Sequence, residues 1–267
     1  LPIFTHEMRT GLHEGLMEQA TAKAFDLPLA TVQKANMTLG DIGEVAATAK
    51  TKGKKHLYTV SFKVFRPVKL MLAQTATDTN EAIVQHNGET AFEYKYDGAR
   101  IQIHKQKEEV RIFSRRLTDA TLSLPDIVET IKNNIVAHEA ILEGEVIATD
   151  NAGNPIPFQH LMRRFKRVHG IADATERIPL KLYLFDALYI NGENLISLPY
   201  TQRRQTRAEN TGEIPLTTQI ITNKRENAEK FLQEALTAGH EGVMAKKPDS
   251  PYTPGTRGKH WFKIKQV

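Results

Sequence analysis

The sequence predicts an α+β fold: a helical stretch, then antiparallel sheets with helices packed outside them. Three observations predict it. Apolar residues recur at three- and four-residue spacings over residues 6–50. From residue 91 onward, short runs alternate apolar and polar side chains between Gly, Pro, Asn and Asp turns. Helical stretches intervene between those runs, and no internal repeat or low-complexity tract interrupts the order.

The helical part contains "HEGLMEQATAKAF" (13–25) and "TLGDIGEVAATAK" (38–50), the second opening on a Gly-Asp start signal. A basic stretch, "KTKGKKH" (50–56), and then "RPVKLMLAQ" (66–74) mark a boundary near residue 65, giving a domain over 1–65 and another over 66–267. Strands are expected at "TAFEYK" (90–95), "ARIQIHK" (99–105), "EVRIFSR" (109–115), "AILEGEVIAT" (140–149), "LKLYLFDALYI" (180–190), "GVMAKK" (242–247) and "HWFKIK" (260–265). Helices are expected at "PDIVETIKNNI" (125–135), "PFQHLMRRFKRV" (157–168), "PYTQRRQTRAEN" (199–210) and "NAEKFLQEALTAG" (227–239), the last with a Gly stop.

The 267 residues are 40% hydrophobic and 25% charged, a globular composition with a formal net charge of +5 that mildly favours a polyanionic partner. With no cysteine, disulfides, thiolate catalysis and cysteine zinc sites are excluded, which fits an intracellular protein. No apolar run is long enough to span a bilayer, and the start "LPIFTHEMRT" lacks the order of a signal peptide. It also lacks an initiator Met, so a piece of a longer chain is expected.

Chemistry is concentrated first in "AFEYKYDGARIQIH" (91–104). In an extended chain Phe92, Tyr94 and Tyr96 share one face, and Glu93, Lys95 and Asp97 the other. The second face is either a wet outer surface carrying a neutralised lysine or the floor of a site that uses the amine. A bare Lys-x-Asp-Gly arises by chance about once in fifteen to twenty chains of this length, so the motif alone decides nothing.

Other strand faces carry more weight. "LEGEV" (142–146) puts Glu143 and Glu145 on one face of an apolar strand, where carboxylates are costly unless paired with a cation or metal. "HWFKIK" puts Lys263 and Lys265 on one face, and the alternative there is a solvated edge strand that uses lysines against aggregation. Two ammonium groups near a third amine favour its neutral, nucleophilic form, and attack by that amine on phosphorus gives a phosphoramidate. "RRFKRVHG" (163–170) and "RRQTR" (203–207) read as solvated helix faces. The ten histidines lack metal-ligand spacing, and no glycine-rich phosphate loop is present, so strand-borne side chains must hold any nucleotide.

Taken in order, "EYKYDGAR" (93–100), "FSRRLTD" (113–119), "LEGEVIA" (142–148), "LYLFDALYING" (182–192), "EGVMAKK" (241–247) and "WFKIK" (261–265) resemble motifs I, Ia, III, IIIa, IV and V of the ATP-dependent DNA ligases. Upstream, "MRTGLHEGLMEQATAKAF" (8–25) resembles the end of the helical DNA-binding domain of the archaeal and eukaryotic replicative type. The resemblance implies a nucleotidyltransferase (ATP-grasp-like) domain over 66–267 behind a remnant of that helical domain, with the family's OB-fold domain and motif VI outside this chain.

The resemblance also implies roles. Lys95 takes AMP from ATP, Glu93 recognises the adenine amino group, and Phe185 stacks on the adenine. Arg100 and Arg115 lie near ribose and phosphates, while Arg257, Lys263 and Lys265 contact the α-phosphate. Glu145 and Glu241 hold a divalent ion, Mg²⁺, Glu145 also lying beside the ribose, and Asp97 orients the site or a metal-bound water. The implied activity is sealing of single-strand nicks in duplex DNA in replication, repair and recombination, through lysyl-AMP and 5′-adenylated DNA. The implied protein is a monomer in the cytoplasm, nucleoid or nucleus, meeting a sliding clamp through regions outside this chain. Leu70 stands where relatives commonly carry proline. Rival readings are an RNA ligase or capping enzyme, which lacks the upstream helical segment, and a non-catalytic DNA-clamping module, which has no need of Lys95, Glu145, Glu241 and Lys263 together.

Overall fold

A computed structural model describes residues 14–165 and 178–265, and it divides into two compact units, Leu1–Lys69 and Leu70–Val267. The parts of the expected helices that fall on residues 6–13 and 166–168 lie outside the described residues.

The first unit packs helices α1 (Glu14–Ala24), α2 (Leu29–Leu39) and α3 (Ile42–Lys52) and a 3-10 turn, Lys54–Tyr58, around Val32, Ala35, Leu39, Val45, Ala49 and Leu57. Gly40, left-handed at φ 69°, ends α2, and the Asp41 side chain then caps α3 by accepting from the amides of Gly43 and Glu44. The Gly-Asp signal in the sequence therefore marks a helix boundary inside "TLGDIGEVAATAK".

The second unit contains, in order, β1 (Leu72–Thr75), α4 (Thr79–His86), β2 (Thr90–Lys95), β3 (Ala99–Gln106), β4 (Glu109–Ser114), α5 (Pro125–Asn134), β5 (Glu139–Ala148), α6 (Phe158–Phe165), β6 (Leu180–Ile190), β7 (Glu193–Asn194), α7 (Tyr200–Asn210), β8 (Gln219–Thr222), α8 (Arg225–Thr237), β9 (Gly242–Lys246) and β10 (Arg257–Lys265). They form two five-stranded sheets, ordered β1-β10-β9-β2-β8 and β4-β3-β5-β6-β7. One pairing departs from the antiparallel expectation: β1 runs parallel to β10, with Leu72 opposite Arg257 and Thr75 opposite Lys263. β1 is a four-residue edge strand, half-buried at Leu72, Ala73 and Gln74 and exposed at Thr75, too short to show a two-residue alternation of its own.

Each sheet turns one face to helices. In the first, Phe92, Val243, Ala245, Phe262 and Ile264 pack against Ala228, Phe231 and Ala235 of α8 and Ala82 and Ile83 of α4. In the second, Ile101, Ile103, Leu142, Val146 and Leu184 pack against Ile127 and Ile131 of α5 and Leu161 of α6. The alternate residues of β2, β5, β9 and β10 are thereby directed to the other faces. Among the described residues no helix is long and apolar enough to cross a membrane.

Candidate active site

Those other faces line a pocket of about 380 Å³. The first sheet contributes Glu93 and Lys95 from β2, Met244 and Lys246 from β9, and Trp261, Lys263 and Lys265 from β10; the second contributes Arg100, Glu145 and Phe185. Asp97, Arg115, Glu241 and Arg257 also reach it, so every residue to which the resemblance gives a role lies at one cavity, whereas Glu143 is fully buried against Arg100. The wet-surface alternative for the Glu93 face is overturned, since Glu93 is 1% exposed. So is the edge-strand alternative for Lys263 and Lys265, since β10 lies between β1 and β9; β5 is likewise internal, between β3 and β6.

Two glycines make the close approaches possible. A Cβ on Gly98 would meet the Val146 carbonyl oxygen at 2.3 Å, so only glycine lets the turn after Lys95 lie against β5 and return Arg100 opposite Glu145. Gly242, at φ 144°, abuts the Ile264 carbonyl in the same way and places Glu241 beside the end of β10.

At that end of the pocket, one Glu241 oxygen takes ion pairs from both Lys95 and Lys265, the latter at 2.6 Å. Burial alone would raise the Glu241 carboxyl, but the hydrogen bonds from Lys265 and Lys95 outweigh it and hold the group down at about 2. Asp97 moves the other way: burial, then its hydrogen bond to Glu241 and that carboxylate's charge, push it above the ordinary aspartate value. Of the two acids, Asp97 is therefore the one that takes up a proton more readily. Burial also pushes Glu145 up to about 7 against the pull of Lys95 and Arg100.

In the pocket wall, the Arg100 guanidinium donates to the Met71 carbonyl at 2.8 Å and to buried Glu143 at 2.9 Å, and it lies 5.2 Å from the Phe185 ring centroid. Arg115 follows β4 and is exposed at the rim, and exposed Arg257 donates to the Ala73 carbonyl at 3.0 Å. Lys263 is half-buried on the face it shares with Trp261.

Sequence reasoning missed a polar layer at the far end. Lys246 is buried 2.6 Å from Glu93, among the rings of Phe185, Tyr200 and Trp261 at 4.9, 4.8 and 4.6 Å. Two-residue alternation along "GVMAKK" would have found it, because Val243 and Ala245 face the core and Met244 and Lys246 the pocket. The reading of "RRQTR" as a solvated face is corrected: Arg203 and Arg207 are fully buried, and Arg203 donates twice to buried Asp186, at 2.8 and 3.0 Å. The signal was an aspartate inside the apolar run "LFDALY", which needs an internal cation. Arg164 of "RRFKRVHG" is likewise buried, with its guanidinium on Asp126; residues 166–170 lie outside the described residues. His86 and His104 are buried and hydrogen-bonded to Thr90 and Gln102, in line with structural roles.

The donor set favours a hard cation in a particular way. Among the described residues no cluster of three or more acids or histidines gathers to hold a metal, but Mg²⁺ is commonly held by one or two carboxylates with substrate phosphates supplying further oxygens. Glu145 and Glu241, which line the same pocket as the Lys95 amine, fit that requirement, and a cation would offset the burial that raises Glu145. Chemically, the pocket offers the Lys95 amine, which shares Glu241 with Lys265, together with Arg115, Arg257 and Lys263 in its lining, and aromatic side chains beside the buried Glu93–Lys246 pair.

Comparison with known proteins gives a family and a fold. The family model described as ATP dependent DNA ligase domain matches residues 70–265. The DNA ligase of Thermococcus fumicolans is 46% identical over 261 residues, covering 97% of this chain and 47% of the relative. That of Archaeoglobus fulgidus is 44% identical over 268 residues, covering 99% of this chain and 48% of the relative. The chain thus spans about half the length of the curated relatives it matches. Among solved structures, the ligase domain of LigD from M. tuberculosis superposes with a TM-score of 0.55 at 26% identity, covering 74% of this chain and 60% of that one. A mycobacterial DNA ligase D complexed with ATP and MES gives 0.54 at 25%, with the same coverage.

Proposed function

We propose, from the premise that this chain belongs to the ATP-dependent DNA ligase family, that it is the adenylating core of an enzyme that seals nicks in duplex DNA. The observation that carries the reading is the placement of Lys95 in one pocket with Lys263, Lys265, Arg257, Glu145 and Glu241.

In the first step the Lys95 Nζ lone pair attacks the α-phosphorus of ATP. A P–N bond forms, the bond to pyrophosphate breaks, and the amine loses a proton. Attack requires the Lys95–Glu241 contact to open. Lys263, Lys265 and Arg257 stand where negative charge grows on the α-phosphate oxygens, and Phe185 and Trp261 wall the base cleft. A 5′-phosphate oxygen of nicked DNA then attacks the same phosphorus and frees Lys95; finally the 3′-hydroxyl attacks the 5′-phosphorus and expels AMP. Each step is an in-line displacement, so positioning and charge stabilisation dominate. Glu145 and Glu241 would hold Mg²⁺, whose contribution when bound is Lewis-acid neutralisation of the phosphates. Asp97, through its hydrogen bond, orients Glu241.

Residues 1–65 act as the end of a helical DNA-binding domain. Contact is with the backbone of the duplex, salt-sensitive and independent of sequence. The enzyme works inside the cell as a monomer, with a sliding clamp as a further partner.

Incubation with ATP and Mg²⁺ followed by intact-mass measurement tests the reading. The chain gains one AMP and Lys95→Ala gains none; an adduct on the variant would overturn the assignment of Lys95. Sealing of nicked DNA in preference to nicked RNA separates the proposal from an RNA ligase.

A further inference from the structure

Among the described residues no ladder joins the two sheets, so what packs between them sets the distance from Lys95 in the first to Glu145 in the second. The turn that crosses from one sheet to the other begins at Tyr96, directly after Lys95. Tyr96 is buried, and rings from both sides enclose it. From the second sheet, the Tyr183 ring of β6 stacks on it with centroids 4.1 Å apart and planes 21° from parallel. From the first, the rings of His240 and Tyr94 stand at 4.5 and 6.3 Å, and Tyr94 rests on Phe231 of α8 at 4.8 Å.

The neighbours of that ring are tied to the pocket. Tyr183 stands opposite Glu145 in the β5–β6 ladder. His240 immediately precedes Glu241, whose amide donates to the Lys95 carbonyl at 3.0 Å. One side chain therefore links the strand beside one carboxylate, the residue before the other, and the backbone that carries the amine.

A short strap completes the link. The Pro215 carbonyl accepts from the Leu184 amide of β6, and the Thr217 amide donates to the Leu184 carbonyl, both at 3.0 Å. Thr218 then serves the first sheet: its carbonyl accepts from the Tyr94 amide at 3.0 Å, and its amide donates to the Tyr96 hydroxyl at 3.3 Å. The Tyr96 ring is thus packed on Tyr183 while its hydroxyl meets a segment bonded to both sheets. Close-packed interiors transmit a change of volume to their neighbours, and a missing ring leaves a space that closes only by movement of the groups around it.

We propose that Tyr96 is a positioning residue for AMP transfer: stacked on Tyr183 and backed by His240, it holds the two sheets at the separation that keeps the Lys95 amine in line with the phosphorus it attacks. The inference rests on the transfer reaction given above. A misplacement of about 1 Å costs roughly a hundredfold in rate. Glu93 and Arg100, which the proposed function gives to the nucleotide, keep their own partners Lys246 and Glu143 when the ring is removed.

Single-turnover adduct formation by the full chain, followed by intact mass over a range of ATP concentrations with Mg²⁺, tests it. Tyr96→Leu and Tyr183→Leu lower the maximal rate constant between about ten- and a hundredfold, while half-saturating ATP moves less than about threefold. Tyr96→Phe, which keeps the ring, stays within about threefold of wild type. The double variant Tyr96→Leu/Tyr183→Leu is slower than the slower single variant by less than about threefold, because one stack is lost once. Thermal melts monitor folding, and if Tyr96→Leu does not fold, Tyr183→Leu on the other sheet carries the test. A merely structural role lowers the fraction of chain that ever gains AMP and leaves the rate constant of that fraction unchanged, which overturns the proposal. So does a half-saturating ATP concentration that rises in step with the loss of rate, or a Tyr96→Phe variant as slow as Tyr96→Leu. Wild type that gains AMP alongside equally fast leucine variants overturns this inference alone; wild type that binds ATP and never gains AMP overturns the transfer reaction with it.

Discussion

Glu93 and Lys246 face each other at 2.6 Å with side chains that are each 1% exposed. Leaving either charge alone in that environment is far more costly than removing both. Lys246→Met is therefore expected to lower stability by about 3–5 kcal/mol, and the double variant Glu93→Gln/Lys246→Met by less than the sum of its parts. Urea unfolding of the two single variants and the double variant measures the coupling, and strict additivity would contradict it.

Lys263 lies half-buried on the pocket face of β10, and the proposed mechanism gives it the α-phosphate. Lys263→Ala should slow AMP-adduct formation roughly a hundredfold, the scale of losing one preorganised donor. Affinity for nicked duplex, spread over many backbone contacts, should stay within a factor of about three. Equal losses in both would assign Lys263 to a general basic surface.

Burial lowers His86 from the usual 6.5 to about 4 and His104 to about 3. The unfolded chain takes up protons below pH 6.5 that the folded chain refuses. Stability from these sites is therefore complete above 6.5 and lost as the pH falls from 6.5 toward 4 for His86 and toward 3 for His104. His104→Gln, which keeps an amide beside Gln102 but cannot be protonated, should flatten the fall of melting temperature across that range.

The turn at Gly98 admits no side chain without moving β5. Gly98→Ala should cost about 1–3 kcal/mol, as overpacking does, and should slow adduct formation by shifting Lys95 and Arg100 together. An alanine variant as stable and as fast as wild type would contradict the account of this turn.

How much was legible follows from period and burial. Alternation placed Glu93 and Lys95 on one face and Phe92 on the other because β2 is regular, and the same rule assigned Glu143 and Glu145 to one face of β5. It said nothing of β1 or α4, which are too short to show a period, nor that β1 would run parallel to β10. The charges of α7 were misread for a physical reason: an arginine on a helix reads as exposed unless its counter-ion is visible, and Asp186 sits seventeen residues away on β6. Lys246 was within reach of the alternation rule, but its aromatic surroundings come from β6, α7 and β10 and exist only in three dimensions.

The two sheets are assembled from the chain in different ways. In the second, β3, β4, β5, β6 and β7 pair largely with near neighbours along the chain, whereas the first joins β2 to β9 and β1 to β10 across well over a hundred residues. Local pairings close with little loop entropy, and distant ones must wait for their partners. On a ribosome the second sheet can take shape while its last strands are still emerging, but the strand carrying Lys95 has no neighbour until residues 219–246 have been made. The Lys95 amine is thus among the last groups to be locked in place, and a chain interrupted before β9 would hold a folded half with no pocket in it.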